Sequence, residues 1–302
     1  MAAGRAARPE RDRRKTPNRA TLRKTVQIGS DLEIGDDHFV VMAGPCAVET
    51  ADQLGTVALA VAAAGASMLR GGAFKPRTSP RSFQGLGRAG LELLAEASRR
   101  TGLPVVTEVM DPRDVALVAG HAAMLQIGSR SMQNFPLLRE VGKAGVPVLL
   151  KRGAAATIEE LVLASEYVRG EGNDAVVLCE RGVRSFDPST RYLLDLAAVP
   201  LLRERTDLPV IVDPSHGTGR SSLVAPMAKA ALVAGADGLL IDVHAAPETA
   251  LCDGQQALRP AEFAELMAEL RRLVPLCRRR WSRPAAADRL APTPLDDEVI
   301  AP

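Results

Sequence analysis

Eight short apolar runs recur along the middle of the chain: Phe39-Val40-Val41-Met42, Ser67-Met68-Leu69, Val105-Val106-Thr107, Met124-Leu125-Gln126-Ile127, Val148-Leu149-Leu150, Val176-Val177-Leu178, Val210-Ile211-Val212 and Leu239-Leu240-Ile241. Each is continuously apolar rather than alternating, the mark of a strand buried on both faces. Helix-length amphipathic segments separate them, so the pattern predicts parallel strands covered by helices. Thr157 and Glu160 have capping-box spacing, Asp111 precedes a proline suited to a first helical turn, and Gly65, Gly145 and Gly235 stand where helices should stop. A single (β/α)8 TIM barrel over residues 38–277 accounts best for this order, with an open doubly wound sheet as the competing arrangement. Ahead of it, Val26-Gln27-Ile28 and Leu32-Glu33-Ile34 alternate around Gly29-Ser30-Asp31. They predict a β-hairpin over residues 25–37, placed to plug the bottom of the barrel.

The ends lack such a pattern. Residues 1–24 are rich in Arg and Ala, with Pro9 and Pro17, and read as a disordered basic tail. Residues 278–302 carry a basic run, then Pro284, Pro292 and Pro294 with an acidic patch, and read as a second tail. With 302 residues and 46% hydrophobic content, the chain can bury a barrel-sized core. A net charge of +2, 3% aromatics and one tryptophan argue against a nucleic-acid reader and leave small anions as ligands. Cys46, Cys179, Cys252 and Cys277 have no metal-finger spacing, and no signal peptide or long apolar span is evident. A cytoplasmic protein without membrane association is expected. Gly85-Leu86-Gly87-Arg88-Ala89-Gly90 matches G-x-G-x-x-G, but Pro80-Arg81-Ser82-Phe83-Gln84 before it is a poor strand, so dinucleotide binding is set aside.

In a barrel, chemistry gathers where strands end, and the residues following the eight runs are polar. In order they are Gly44-Pro45-Cys46-Ala47-Val48-Glu49; Arg70 and Lys75; Glu108; Gly128-Ser129-Arg130; Lys151-Arg152-Gly153; Glu180-Arg181-Gly182; Asp213-Pro214-Ser215-His216; and Asp242-Val243-His244. Arg70, Lys75, Arg130, Lys151 and Arg181 outnumber the acids beside them and call for a multiply charged anion, a phosphorylated substrate. Pairing with Glu108 or Glu180 would account for one or two. Leu69 to Ser79, with Arg70, Lys75, Arg77, Thr78 and Ser79 around two glycines, reads as an anion site for a ligand carrying more than one anionic group, against the plainer reading of a solvated basic loop. Cys46, His216, Asp242 and Asp253 combine thiolate, imidazole and carboxylate, a set suited to Mn2+, Fe2+, Co2+ or Zn2+. Against that stands the plainer reading of Cys46 as a small buried hydrophobe and His216 as a core histidine.

Taken together, Ala43-Gly44-Pro45-Cys46, Leu69 to Ser79, Ser82 to Gly87, Gln126 to Arg130, Leu150 to Gly153, Cys179 to Gly182, Asp213 to His216 and Asp253-Gly254 resemble the type I-beta subfamily of 3-deoxy-D-arabino-heptulosonate 7-phosphate (DAHP) synthases, from about Phe39 to Leu273. The resemblance implies condensation of phosphoenolpyruvate with erythrose 4-phosphate, the first step of the shikimate pathway. It implies that Arg70, Lys75, Arg130, Lys151 and Arg181 cradle phosphoenolpyruvate, that Glu108 holds a water, and that Arg77, Thr78 and Ser79 receive the sugar phosphate. Cys46, His216 and Asp253 match the family's metal ligands, with Lys75, Cys46 and His216 as the catalytic group. The family usually has glutamate before Val-His where this chain has Asp242. Aspartate is one methylene shorter and must reach to roughly 2.0 to 2.2 Å, so Asp242 is expected to ligate with a backbone adjustment or through a water. A homo-oligomer, dimer or tetramer, is expected; no appended regulatory domain is, although a regulatory partner protein would fit. The rivals are a 3-deoxy-D-manno-octulosonate 8-phosphate synthase, whose family has an Ala-Asn-Arg-Ser-Ser type turn at Lys75 to Ser79, an amino-sugar variant of secondary metabolism, and a degenerate barrel kept as a binding partner.

Overall fold

The computed structural model describes residues 23–288. Its strands are β1 (Thr25–Ile28), β2 (Leu32–Gly35), β3 (His38–Gly44), β4 (Met68–Arg70), β5 (Val105–Glu108), β6 (Met124–Ile127), β7 (Val148–Lys151), β8 (Val176–Glu180), β9 (Val210–Val212), β10 (Gly238–Asp242) and β11 (Arg280–Trp281). The helices are α1 (Ala51–Ala64), α2 (Arg88–Thr101), α3 (Val115–Ala119), α4 (Phe135–Lys143), α5 (Ile158–Arg169), α6 (Ala198–Arg205), α7 (Pro214–Thr218), α8 (Ser221–Val233), α9 (Pro260–Leu276) and α10 (Ala285–Asp288). Strands β3 to β10 pair in parallel with their neighbours in sequence. The ring closes where β3 meets β10, with Asp242 opposite Gly44, and β4, with Ala43 opposite Leu69. Closure excludes the open doubly wound sheet.

Alternate residues of each strand face two different cores, which is why the runs are apolar throughout. Val40, Met42, Met68, Val106, Met124, Leu149, Val177, Ile211 and Leu240 fill the interior. Phe39, Val41, Leu69, Val105, Leu125, Leu150 and Leu239 face outward under the helices. The antiparallel hairpin β1–β2 adds Val26, Ile28, Leu32 and Ile34 to the interior cluster and closes the end opposite the active mouth. Helix α5 begins at the expected Thr157–Glu160 capping box, and α1 ends at Gly65 in the left-handed region. In the G-x-G-x-x-G segment, a Cβ on Gly85 would stand 2.2 Å from the Ala73 carbonyl oxygen. That glycine lets the chain pass the β4 loop on its way to α2, with no strand before it.

At both ends the barrel domain runs further than the sequence boundaries. Arg23 Nη2 donates to the Leu208 carbonyl at 3.2 Å, and the Lys24 amide donates to that of Asp207 at 3.1 Å. Beyond Cys277, β11 pairs with β3, Trp281 packs on Phe39 with ring centroids 5.8 Å apart, and Ala287 is buried. Arg279 reaches the buried Asp237 at 2.8 Å. Basic charge there is not solvated tail; Arg279 neutralises an internal carboxylate while Trp281 and Ala287 anchor the segment. The rest of the expected tails, residues 1–22 and 289–302, lies outside the described residues. Among the described residues no helix is long and apolar enough to cross a membrane.

Candidate active site

Three side chains from separate strand ends converge at the barrel mouth. Cys46 follows β3, His216 lies in α7 after β9, and Asp253 sits in a turn beyond β10, in the left-handed region at φ 54°. The Asp213 carboxylate caps α7 by accepting from the His216 amide at 2.9 Å, which turns that short helix so that its histidine faces the mouth. Cys46 Sγ stands 3.6 Å from His216 Nε2 and 3.3 Å from Asp253 Oδ2, and all three donor atoms lie within 4.8 Å of one another. Asp213 Oδ2 is 2.9 Å from His216 Nδ1 and leaves Nε2 directed at Cys46. The contact is one of charge, since Nδ1 has no aligned hydrogen-bond partner among the described residues. Soft, borderline and hard donors at this spacing fit one divalent ion.

The charges follow the same layout. Burial draws the His216 pKa down, but Asp213 and Asp242 outweigh it and hold it raised. The Cys46 thiol is pushed well up, first by its hydrogen bond with Cys252 and then by burial. Burial alone would raise Asp253, yet His216, Arg191 and Lys75 hold it below the ordinary carboxylate range.

Asp242 lies outside this group of mutually close donors among the described residues. Its Oδ1 lies 2.7 Å from Arg70 Nη1, and its Oδ2 accepts from Gln256 Nε2 at 2.6 Å. The approach to His216 is to Nδ1, at 3.6 Å, the ring nitrogen away from Cys46. A carboxylate on so short a stem is captured by the arginine and amide behind the imidazole.

A cavity of about 700 Å3 opens beside the trio, and its wall includes every other residue singled out from sequence: Arg70, Lys75, Arg77, Thr78, Ser79, Glu108, Arg130, Lys151 and Arg181, with His216 and Asp253. Lys75 Nζ donates to the Cys46 carbonyl at 2.9 Å and lies 3.1 Å from Cys46 Sγ. Burial would lower its pKa, but Cys46, Cys252 and Glu108 outweigh that and raise it, so the amine stays protonated. Lys151 pairs with Asp213, and Arg130 Nη1 donates to the Pro76 carbonyl at 2.9 Å. Glu180 is taken by Arg152 at 2.9 Å and leaves Arg181 unpaired with it. The Arg181 guanidinium packs 4.2 Å over the Tyr192 ring, and its Nε and Nη1 are buried without a partner, as is Arg70 Nε. An unsatisfied buried donor costs on the order of 1–3 kcal/mol, more when charged, and both arginines belong to the cavity wall.

Glu108 lies low in the cavity, where Gln126 Nε2 donates to it at 3.3 Å. A Cβ on Gly128 would stand 2.0 Å from Glu108 Oε1, so only glycine leaves room for that carboxylate. Arg77 Nη1 donates to Cys252 Sγ at 2.6 Å. Arg184, Arg191 and Tyr192 also line the cavity, from the long segment between β8 and α6, and strand-end reasoning missed them. Their cue was an arginine-bearing stretch without apolar period. Asp213 and Cys252 stood beside chosen residues but were given no role.

The sequence matches the DAHP synthetase I family over residues 19–275. The chain belongs to that family. Among curated relatives, the phospho-2-dehydro-3-deoxyheptonate aldolase of Thermotoga maritima is 49% identical over 243 residues, 80% of this chain and 72% of its own length. The 2-dehydro-3-deoxyphosphooctonate aldolase of Syntrophobacter fumaroxidans is 32% identical over 255 residues, 78% of this chain and 88% of its own. The crystal structure of the Thermotoga maritima phospho-2-dehydro-3-deoxyheptonate aldolase (DAHP synthase) superposes with a TM-score of 0.83 at 46% identity, covering 86% of this chain and 76% of that one. A truncated form of the 3-deoxy-D-arabino-heptulosonate 7-phosphate synthase from the same organism gives 0.80 at 42% identity, covering 86% and 95%.

Proposed function

We propose that this family member is a metal-dependent DAHP synthase that condenses phosphoenolpyruvate, erythrose 4-phosphate and water to DAHP and inorganic phosphate. The observation that carries the reading is one cavity whose wall gathers Arg70, Lys75, Arg130, Lys151 and Arg181 beside His216 and Asp253, two members of a Cys46, His216 and Asp253 trio spaced for one ion. The greater likeness to the heptonate relative than to the octonate relative supports erythrose 4-phosphate as the acceptor.

In this reading Arg181, Arg130, Lys151, Arg70 and Lys75 bind the phosphate and carboxylate of phosphoenolpyruvate, and Arg77, Thr78 and Ser79 hold the sugar phosphate. The two anchors bring C3 of the enolpyruvate to the aldehyde carbon, which converts a bimolecular encounter into an oriented one. Cys46, His216 and Asp253 would hold the divalent ion, which when bound supplies Lewis acidity toward the aldehyde oxygen. As the C3–C1 bond forms, protonated Lys75 is placed to give a proton to the new alkoxide. Glu108 orients the water that adds at C2, after which phosphate leaves.

The test follows phosphoenolpyruvate consumption with erythrose 4-phosphate and, separately, arabinose 5-phosphate. A preference for the four-carbon sugar is expected. A preference for arabinose 5-phosphate would transfer the chain to the octulosonate reaction, and no turnover with either sugar and any divalent ion would favour a binding role.

A further inference from the structure

We propose that Cys252 is a second thiolate ligand of the metal centre, filling the position that Asp242 does not reach and biasing the site toward Zn2+ over Mn2+. This rests on the reading of Cys46, His216 and Asp253 as metal donors. Cys252 is buried in the turn immediately before Asp253. Its Sγ lies 3.7 Å from Cys46 Sγ and 3.5 Å from Asp253 Oδ2.

Five of the six separations among these four side chains match a tetrahedral ion, and the sixth, Cys252 with His216, is too wide and leaves Cys252 outside the mutually close group. Two sulfurs each ~2.3 Å from one such ion stand ~3.8 Å apart, and a sulfur and an oxygen or nitrogen stand ~3.6 Å apart. Around the site the separations are 3.7 Å for the two sulfurs, 3.6 Å for Cys46 with His216, 3.3 and 3.5 Å for each sulfur with Asp253, and 3.8 Å for His216 with Asp253. The mutually close trio consists of Cys46, His216 and Asp253, with Cys252 at its edge against Cys46 and Asp253. Closing the fourth position requires the Cys252 side chain to swing from Arg77 toward His216.

Two thiolates side by side repel, and each sulfur here has its own cation. Lys75 Nζ is 3.1 Å from Cys46 Sγ, and Arg77 Nη1 is 2.6 Å from Cys252 Sγ. A sulfur keeps lone pairs for a metal while accepting from such a donor. A second soft ligand in place of a hard carboxylate moves selectivity from Mn2+ toward Zn2+.

X-ray absorption of the zinc-loaded full chain counts the sulfurs directly, and two are expected. In the Co2+-loaded protein, the near-ultraviolet thiolate-to-cobalt band should fall to about half in Cys252→Ser, while the visible ligand-field bands show that cobalt is still bound. Zn2+ affinity should drop on the order of tenfold or more, a loss comparable to that seen when even a supporting partner is removed, and Mn2+ affinity much less. One sulfur in the zinc-loaded wild type, or an unchanged cobalt band in Cys252→Ser, overturns the proposal while leaving the trio intact. Binding that survives Cys46→Ser unchanged would overturn the trio as well. The sulfur count needs no variant, so misfolding of Cys252→Ser leaves the test standing.

Discussion

Arg181 and Asp242 show how a side chain's partners, more than its type, determine its role. Arg181 has two buried donors without partners among the described residues, while Arg152 pairs with Glu180. Arg181→Lys removes the planar fork and the contact with Tyr192; the KM for phosphoenolpyruvate should rise on the order of tenfold with the melting temperature unchanged, as initial-rate kinetics and calorimetry would record. Asp242 is engaged by Arg70 and Gln256. Asp242→Asn should therefore leave bound metal near the wild-type content by elemental analysis while weakening phosphoenolpyruvate binding through Arg70. Loss of the metal would return Asp242 to the ligand set. Strand position made both residues visible in the sequence, but their partners come from other strand ends, which sequence spacing cannot reveal.

Metal uptake should be linked to protons. The Cys46 thiol is raised by its bond with Cys252 and by burial, and His216 is raised because Asp213 and Asp242 outweigh burial. Both must lose a proton to ligate, so affinity rises with pH below those raised values. Competition with a chromophoric chelator between about pH 6 and 8 should show at least about a tenfold gain per pH unit. A flat profile would mean that the ligands are already deprotonated.

At the level of elements, the apolar runs were legible because each is too short for a buried helix and is separated from the next by a helix-length amphipathic segment. The hairpin was legible from its two alternating pieces around a turn. Its Leu32 lies inside the barrel floor, and Leu32→Ala should cost about 2–5 kcal/mol of stability without altering KM, as denaturant melts and kinetics would show. The C-terminal segment was not legible, because Trp281 stands alone among polar residues and the short Ala285-Ala286-Ala287 run carries no period. Trp281 is the sole tryptophan and packs on Phe39. Its fluorescence should change in one transition with the circular dichroism of the barrel, and an earlier fluorescence transition would show that the segment unfolds separately.

The whole molecule places the ends of β4 to β9 and the loop after β10 around one cavity beside Cys46, and the long segment after β8 adds Arg184, Arg191 and Tyr192. That segment escaped the sequence reading because its role depends on folding back over the mouth rather than on a strand end. The central claim is that this mouth couples a metal centre to two phosphorylated substrates. The most direct test measures phosphoenolpyruvate loss, erythrose 4-phosphate loss and phosphate release together, in chelator-treated protein and after adding back Zn2+ or Mn2+. The three quantities should change in a 1:1:1 ratio only when the metal is present. Turnover that persists in the chelated protein, or phosphate release without loss of the sugar, would contradict it.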